Sequence, residues 1–255
     1  KAFQNLVLSS GADVLDIGCG CGATTVSIAR RVLPNGKVTG VDISAPMLTE
    51  AVNMAEEKSL SNVRFINMDV QTNSLEEGRY SAAYSRFGVM FFEDAVKAFQ
   101  NINRGLRSEG LLSFVCWQSS DLNPWQSVAL EAIRQVIELP PFSGSVAGPF
   151  AFREQSRLRE VLVAADFQEI SVESFKKQII FFKGRSVEEC AIDYLALNPS
   201  ISELLTKVSD SKKSSVIASI IGAFKPFYSS MGLVFSSATW IVTAKKKRRA
   251  VKIKR

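Results

Sequence analysis

The sequence predicts an α/β fold with a doubly wound sheet, and three observations predict it. Strand-like and helix-like segments alternate from Val14 to Trp117, with a repeat of about 25 residues that suits parallel strands and right-handed crossovers. A glycine-rich turn, "VLDIGCGCGATT" (Val14–Thr25), follows the first strand-like run. Three successive strand-like runs end at or beside an aspartate: Asp16, Asp42 and Asp69.

Taken in order, Val14–Ile17 reads as a short buried strand and Thr24–Leu33 as the helix after it, closed by Pro34-Asn35-Gly36. Lys37–Val41 is a second strand. Ser44 caps a helix with Pro46 in its first turn, running to Lys58. Val63–Met68 and Tyr80–Arg86 are the third and fourth strands, Asp94–Leu106 a helix, and Gly110–Trp117 a fifth strand. Beyond Trp117 the regularity breaks. Asn123–Glu138 reads as a helix, "LPPFSGSVAGPF" (Leu139–Phe150) as a loop, Arg153–Ala165 as an amphipathic helix and Gln168–Phe182 as a strand. Val187–Ser230 is mostly helical, and Ser236–Ala244 is a last strand.

With 255 residues, 46% of them hydrophobic, the chain can bury a full core as one domain with a sizeable insertion. No apolar run approaches the roughly 18 residues of a membrane span. The four cysteines, Cys19, Cys21, Cys116 and Cys190, form no C-x-x-C pair, and there is no histidine. This argues against a zinc site and against a disulfide framework, and it places the chain in a reducing, cytoplasmic compartment. It also removes Ser-His and Cys-His nucleophiles. The tail "KKKRRAVKIKR" (Lys245–Arg255) carries eight basic residues against a net charge of +6 for the whole chain, so the rest is near neutral.

A dinucleotide site reads G-x-G-x-x-G, whereas Gly18, Gly20 and Gly22 are spaced G-x-G-x-G. Asp16, just before the turn, would repel a pyrophosphate and favour a cationic group. Asp42 is placed to accept from both hydroxyls of a ribose. The Asp69 side chain and the Val70 amide are placed to read an adenine. An amine, a ribose and an adenine with no phosphate describe S-adenosylmethionine.

The segments "VLDIGCGCGATT", "VTGVDIS", "NMDVQ" and "SRFGVMFF" resemble the successive motifs of class I S-adenosylmethionine-dependent methyltransferases. The nearest group is the small-molecule type that includes quinone-biosynthesis methyltransferases. The resemblance is strong over Val14–Trp117 and weaker through "GPFAF", "LVAADF" and "TWIVTAKK". It implies a Rossmann-like doubly wound sheet of about seven strands, mostly parallel with an antiparallel last strand, plus helical lid insertions. It also implies a single methyltransferase domain over residues 1–255, with its core at 11–118, 151–183 and 233–246, insertions at 119–150 and 185–232, and a basic tail at 245–255. By the same resemblance Asp16 and the backbone of Gly18 and Gly20 hold the methionine end, with Cys19 in the same set. The side chains of Cys19 and Cys21 read as spacers. Asp42 is the ribose acid, with Ile43 and Met47 beside the adenine. Asp69 and Val70 read the adenine, and Ser85, Arg86 and Phe87 lie beside the transferring methyl. "LRSEG" (Leu106–Gly110) departs from the usual Leu-Arg-Pro-Gly-Gly turn and is expected to alter only a surface loop.

Several choices stay open. Trp117 and Trp125 either line the acceptor site or belong to the core. "NPW" (Asn123–Trp125) is unlike the Asn-Pro-Pro-aromatic motif of amino-methyltransferases, since it follows strand five and lacks a proline. Arg86 either pairs with Glu93 or Asp94 or holds an acidic acceptor, the latter being favoured. Tyr84, Asp121 and Glu154 are the candidate bases, unranked. The acceptor is expected to be an apolar or aromatic small molecule, through O, N or C, and no metal is expected. The alternatives are an NAD-dependent oxidoreductase, disfavoured by Asp16, and a nucleic-acid methyltransferase or binder using the tail. Only Lys1–Gly11 precede the first strand, where related enzymes carry helices that close over the cofactor. The chain is then either whole with an open pocket or a fragment.

Overall fold

A computed structural model describes residues 8–139 and 147–248. Most of the expected loop at 139–150 and the last part of the basic tail, 249–255, lie outside the described residues, as does 1–7. The chain divides into two compact units: Lys1–Trp117 with Ser145–Ser174 and Thr239–Arg255, and Gln118–Gly144 with Phe175–Ala238. The segments set apart in the sequence as insertions, 119–150 and 185–232, fall largely in the second.

The first unit holds β1 (Asp13–Ile17), α1 (Ala23–Arg31), β2 (Lys37–Asp42), α2 (Ala45–Glu57), β3 (Val63–Asn67), β4 (Tyr80–Arg86), α3 (Ala95–Gly105) and β5 (Leu106–Trp117). After α4 (Pro124–Arg134) in the second unit, it resumes with α5 (Gln155–Ala164). β6 (Phe167–Phe181) begins in the first unit. The second unit then continues with α6 (Val187–Ala196), α7 (Pro199–Thr206), α8 (Asp210–Phe224) and the two-residue β7 (Tyr228–Ser229). β8 (Gly232–Lys246) ends in the first unit.

Among the described residues the sheet has eight strands in the order β3-β2-β1-β4-β5-β8-β6, with β7 paired to β8. β1 to β5 pair in parallel and β8 is antiparallel to β5, so the expected Rossmann-like sheet with an antiparallel last strand is the one observed. The apolar run of β1 is buried without alternation, as it must be in a parallel sheet covered on both faces. α3 buries Ala95, Ala98, Phe99 and Ile102, a helical stripe that brings Phe99 against Phe114 and Phe152. In the second unit Ile133, Cys190, Val216, Ile220 and Phe224 form a separate core from α4, α6 and α8.

Two expectations are corrected. "LRSEG" is not a loop outside the sheet: β5 already starts at Leu106, which is buried and pairs with Tyr80. The departure is absorbed by a register shift between Tyr80 and Ala82 and by Glu109 at φ 62, a left-handed backbone that a glycine would adopt without strain. Nor is the basic segment a free tail from Lys245. Lys245 pairs with Glu169 at 2.5 Å, and Lys247 pairs with Asp166. Lys246 is buried, and its Nζ donates to the carbonyls of Leu106 at 2.7 Å and Arg104 at 3.3 Å. The Arg104 carbonyl also accepts the Gly78 amide at 3.0 Å. A cation is thus held at the C-terminal end of α3, where the helix leaves carbonyls without intrahelical donors.

Lys246→Ala removes a charged donor from both carbonyls. It should lower stability by about 1–3 kcal/mol in urea unfolding. Lys247→Ala is the control, because it loses only an exposed ion pair and should leave the unfolding midpoint nearly unchanged.

Candidate active site

The carboxyl ends of β1, β2 and β4 and the start of α1 enclose a pocket of 620 Å³ within the first unit. That is a size ordinary for a small-molecule site, and the place is where open α/β sheets bind ligands. Its floor is the glycine turn. Gly18, Gly20 and Gly22 all have positive φ, at 63°, 53° and 82°. A Cβ on Gly18 would stand 2.8 Å from Cα of Gly88, so the turn after β1 and the turn after β4 touch backbone to backbone. A Cβ on Gly20 would meet only Met47 Sδ, at 4.0 Å, which leaves that glycine open toward the pocket.

Asp42 fixes the turn. Its Oδ2 accepts the Gly20 amide at 2.8 Å and its Oδ1 accepts the Ser44 amide at 2.9 Å. Gly18 and Cys19 also donate their amides to Val41 O. The chain leaving β1 is thus tied to the end of β2. Ser44 caps α2 through the Met47 amide at 3.5 Å, as its sequence suggests. At the end of β3, Asp69 Oδ1 accepts the Gln71 amide at 2.8 Å. The Val70 amide has no acceptor among the described residues, although Val70 is buried on the pocket wall.

Of the residues singled out from the sequence, Gly18, Cys19, Gly20, Asp42, Ile43, Met47, Asp69, Val70, Arg86 and Phe87 line the pocket. Asp16 and Ser85 do not reach its wall. Asp16 is fully buried, with Oδ2 accepting from Thr25 Oγ1 at 2.6 Å and Oδ1 without a partner. Ser85 Oγ donates to Ile17 O at 2.7 Å. Both therefore hold the wall from behind. Burial raises the Asp16 carboxyl to about 6, against the lowering effects of Thr25, Thr24 and Arg86. Burial also pushes the Cys19 thiol up to about 12, which keeps it protonated and unreactive. Among the described residues no cluster of three or more His, Cys, Asp or Glu side chains could hold a metal.

Arg86 is exposed on the pocket wall and makes no ion pair among the described residues. The pairing considered with Glu93 or Asp94 does not form, and Asp94 instead caps α3 through the Lys97 amide at 3.0 Å. Phe87 has φ 65, a strained backbone for an aromatic residue, and stacks on Trp117 with ring centroids 4.3 Å apart. Trp117 thus supports the wall through Phe87. Trp125 belongs to the second unit, beside Phe181. The "NPW" asparagine is fully buried and clamps the backbone, with Asn123 Oδ1 accepting from Ala238 N and Nδ2 donating to Ala238 O, both at 3.0 Å. None of the candidate bases Tyr84, Asp121 and Glu154 lines the pocket, and burial pushes the Tyr84 phenol up to about 12.

Residues 14–110 match the family model described as a methyltransferase domain. The match covers less than half of the chain. Demethylmenaquinone methyltransferase of Staphylococcus aureus is 28% identical to the chain over 120 residues, 47% of this chain and 48% of that protein. The chain thus spans about half the length of the curated relatives it matches. Over nearly all of the chain's length the fold is also that of YcgJ from Bacillus subtilis, with TM-score 0.60, 16% identity and 96% of each chain covered. It is shared as well by phosphoethanolamine N-methyltransferase 2 of Haemonchus contortus, with TM-score 0.57, 17% identity, and 96% of this chain and 51% of that one covered.

The sequence carries no separate signal for Phe91, Phe92, Met68, Gln71 and Thr24, which also line the pocket wall. The Gly88 contact had a signal, a glycine two residues beyond β4, but its partner across the sheet is visible only in three dimensions.

Asp16 offers a titration test. Its carboxyl titrates at about 6 in the folded domain against an ordinary 3.8, so the unfolded chain ionises first and stability falls as pH rises between those values. The loss should reach about 3 kcal/mol. Asp16→Asn keeps the Thr25 bond and loses the titration. Its stability relative to the native chain should therefore rise by about 2–3 kcal/mol between pH 4 and pH 7 in urea unfolding. A difference that stays constant with pH rules out a raised Asp16.

Proposed function

We propose that the chain is an S-adenosylmethionine-dependent methyltransferase acting on an apolar or aromatic small molecule. The observation that carries this reading is the Asp16 carboxylate buried directly behind a glycine turn that Asp42 locks through the Gly20 amide. Asp42 would also suit the ribose of a dinucleotide, whereas a negative charge at Asp16 disfavours the pyrophosphate and favours a phosphate-free nucleoside with a cationic end. The pocket fits such a group on two further counts: Gly20 leaves open space where a side chain would protrude, and the Val70 amide lacks an acceptor among the described residues.

In this reading Gly18, Cys19 and Gly20 hold the methionine end through the backbone, and Asp16 adds negative potential from behind the turn. Asp42 receives the ribose hydroxyls on its remaining lone pairs. Ile43 and Met47, both exposed, cover the adenine, which Asp69 and Val70 read. Ser85 fixes the end of β1, and Arg86 and Phe87 face the methyl-transfer side. S-adenosylmethionine bound there supplies an activated methyl group and leaves as S-adenosylhomocysteine. The chain's part is alignment and the exclusion of water, with Phe91 and the Phe87–Trp117 stack as apolar wall.

A chain without histidine, and with Tyr84 held neutral, suits an acceptor that brings its own nucleophile, such as a phenolate, an amine or a stabilised carbanion. The Staphylococcus aureus relative, a demethylmenaquinone methyltransferase, supports an apolar ring. The nucleic-acid reading is weakened because Lys245, Lys246 and Lys247 are engaged within the fold. The proposed organisation is one methyltransferase domain with the insertions as substrate elements, and the proposed location is the cytoplasm. Among the described residues no helix is long and apolar enough to cross a membrane.

Calorimetry decides the cofactor. S-adenosylhomocysteine should bind and NAD should not, and Asp42→Ala should weaken S-adenosylhomocysteine at least tenfold. Affinity should also rise with pH through about 6 as Asp16 ionises, then level off. Binding of NAD in place of the nucleoside would overturn the reading. Transfer of a radiolabelled methyl group across a panel of phenols, amines and carbon acids would then identify the acceptor class.

A further inference from the structure

The second unit contains a cavity of its own, 210 Å³ in volume. Its walls come from Trp125 and Gln126 on α4, Phe181 at the end of β6 with Phe182 after it, Tyr194 on α6, and Phe235 on β8. The rings are ordered against one another. Trp125 lies 5.8 Å from Phe181, Phe235 meets Phe181 edge-on at 6.1 Å, and Tyr194 meets Phe224 edge-on at 5.9 Å. Among the described residues no charged side chain lines the cavity.

Three features distinguish this cavity from ordinary core. Phe182 is held at φ 51, a strained backbone of the kind that persists where the surroundings enforce it. The half-buried Tyr194 makes no side-chain hydrogen bond through its hydroxyl among the described residues, which leaves that hydroxyl free to meet a ligand. Gln126 Oε1 is buried without a partner. A buried polar atom left unpaired is costly unless a ligand or water meets it. An apolar cavity of about 150 Å³ takes a single benzene ring, so this one has room for a larger ring system.

We infer that the second unit binds a flat, uncharged aromatic molecule of one or two rings that carries a hydroxyl or carbonyl group, with Tyr194 and Gln126 as its polar contacts. The inference concerns binding within the second unit alone and does not depend on the methyl-transfer reading.

The test is calorimetric titration of the full chain with 2-naphthol and, separately, naphthalene-2-sulfonate. 2-Naphthol should bind saturably at one site per chain, and the sulfonate at least tenfold more weakly, because its charge would be desolvated without a partner. Tyr194→Phe and Gln126→Leu should each weaken 2-naphthol about tenfold, as expected for a hydrogen bond lost in an apolar site. Melting curves matching the native chain's would show both variants folded. Absence of saturable binding overturns the inference, and so does undiminished 2-naphthol affinity in both variants or equal affinity for the sulfonate.

Discussion

The contact on which the site depends is the carboxylate of Asp42 with the amides of Gly20 and Ser44. Turns leaving parallel strands have no ladder to hold them, so their amides need other acceptors. Here one charged acceptor at the end of β2 serves the turn after β1 and its own turn together, and charge makes both bonds stronger than neutral ones. Glycines in the left-handed region could otherwise visit many conformations. The carboxylate selects one of them, and the pocket floor has its shape for that reason. Asp42 thus organises the protein before any ligand arrives, and what remains of its acceptor capacity faces the pocket.

Asp16 complements this from the interior. Buried entirely, with one oxygen on Thr25 and the other unpaired, it costs folding free energy that a purely structural residue would not. Such strained or unsatisfied features concentrate at functional sites. Phe87, aromatic yet left-handed, is a second instance on the same pocket.

Much of this is legible in the sequence. The strand and helix order up to Trp117 follows from hydrophobic periodicity, and the three aspartates mark the edge where the pocket lies. Periodicity does not say which acids face the pocket. Asp16 and Asp42 look alike in a sequence, but one is buried behind the wall and the other forms it. The end of the chain misleads because eight basic residues in a row of eleven look like a solvated tail. Only the carbonyls at the end of α3 show why Lys246 goes inward. Phe91 escapes notice because an exposed apolar residue after a strand has no pattern of its own.

The contact between Gly18 and Gly88 restricts how this protein can be changed. Each excludes a side chain on the other, because a Cβ at position 88 would stand 2.9 Å from Cα of Gly18 and 2.8 Å from the Ile17 carbonyl. Neither can take a side chain unless the backbone of the turns after β1 and β4 moves apart. Diversity aimed at a new acceptor belongs instead at Phe91, whose exposed side chain stands free of that backbone contact. A library at that position would vary the opening of the pocket and leave its floor as it is.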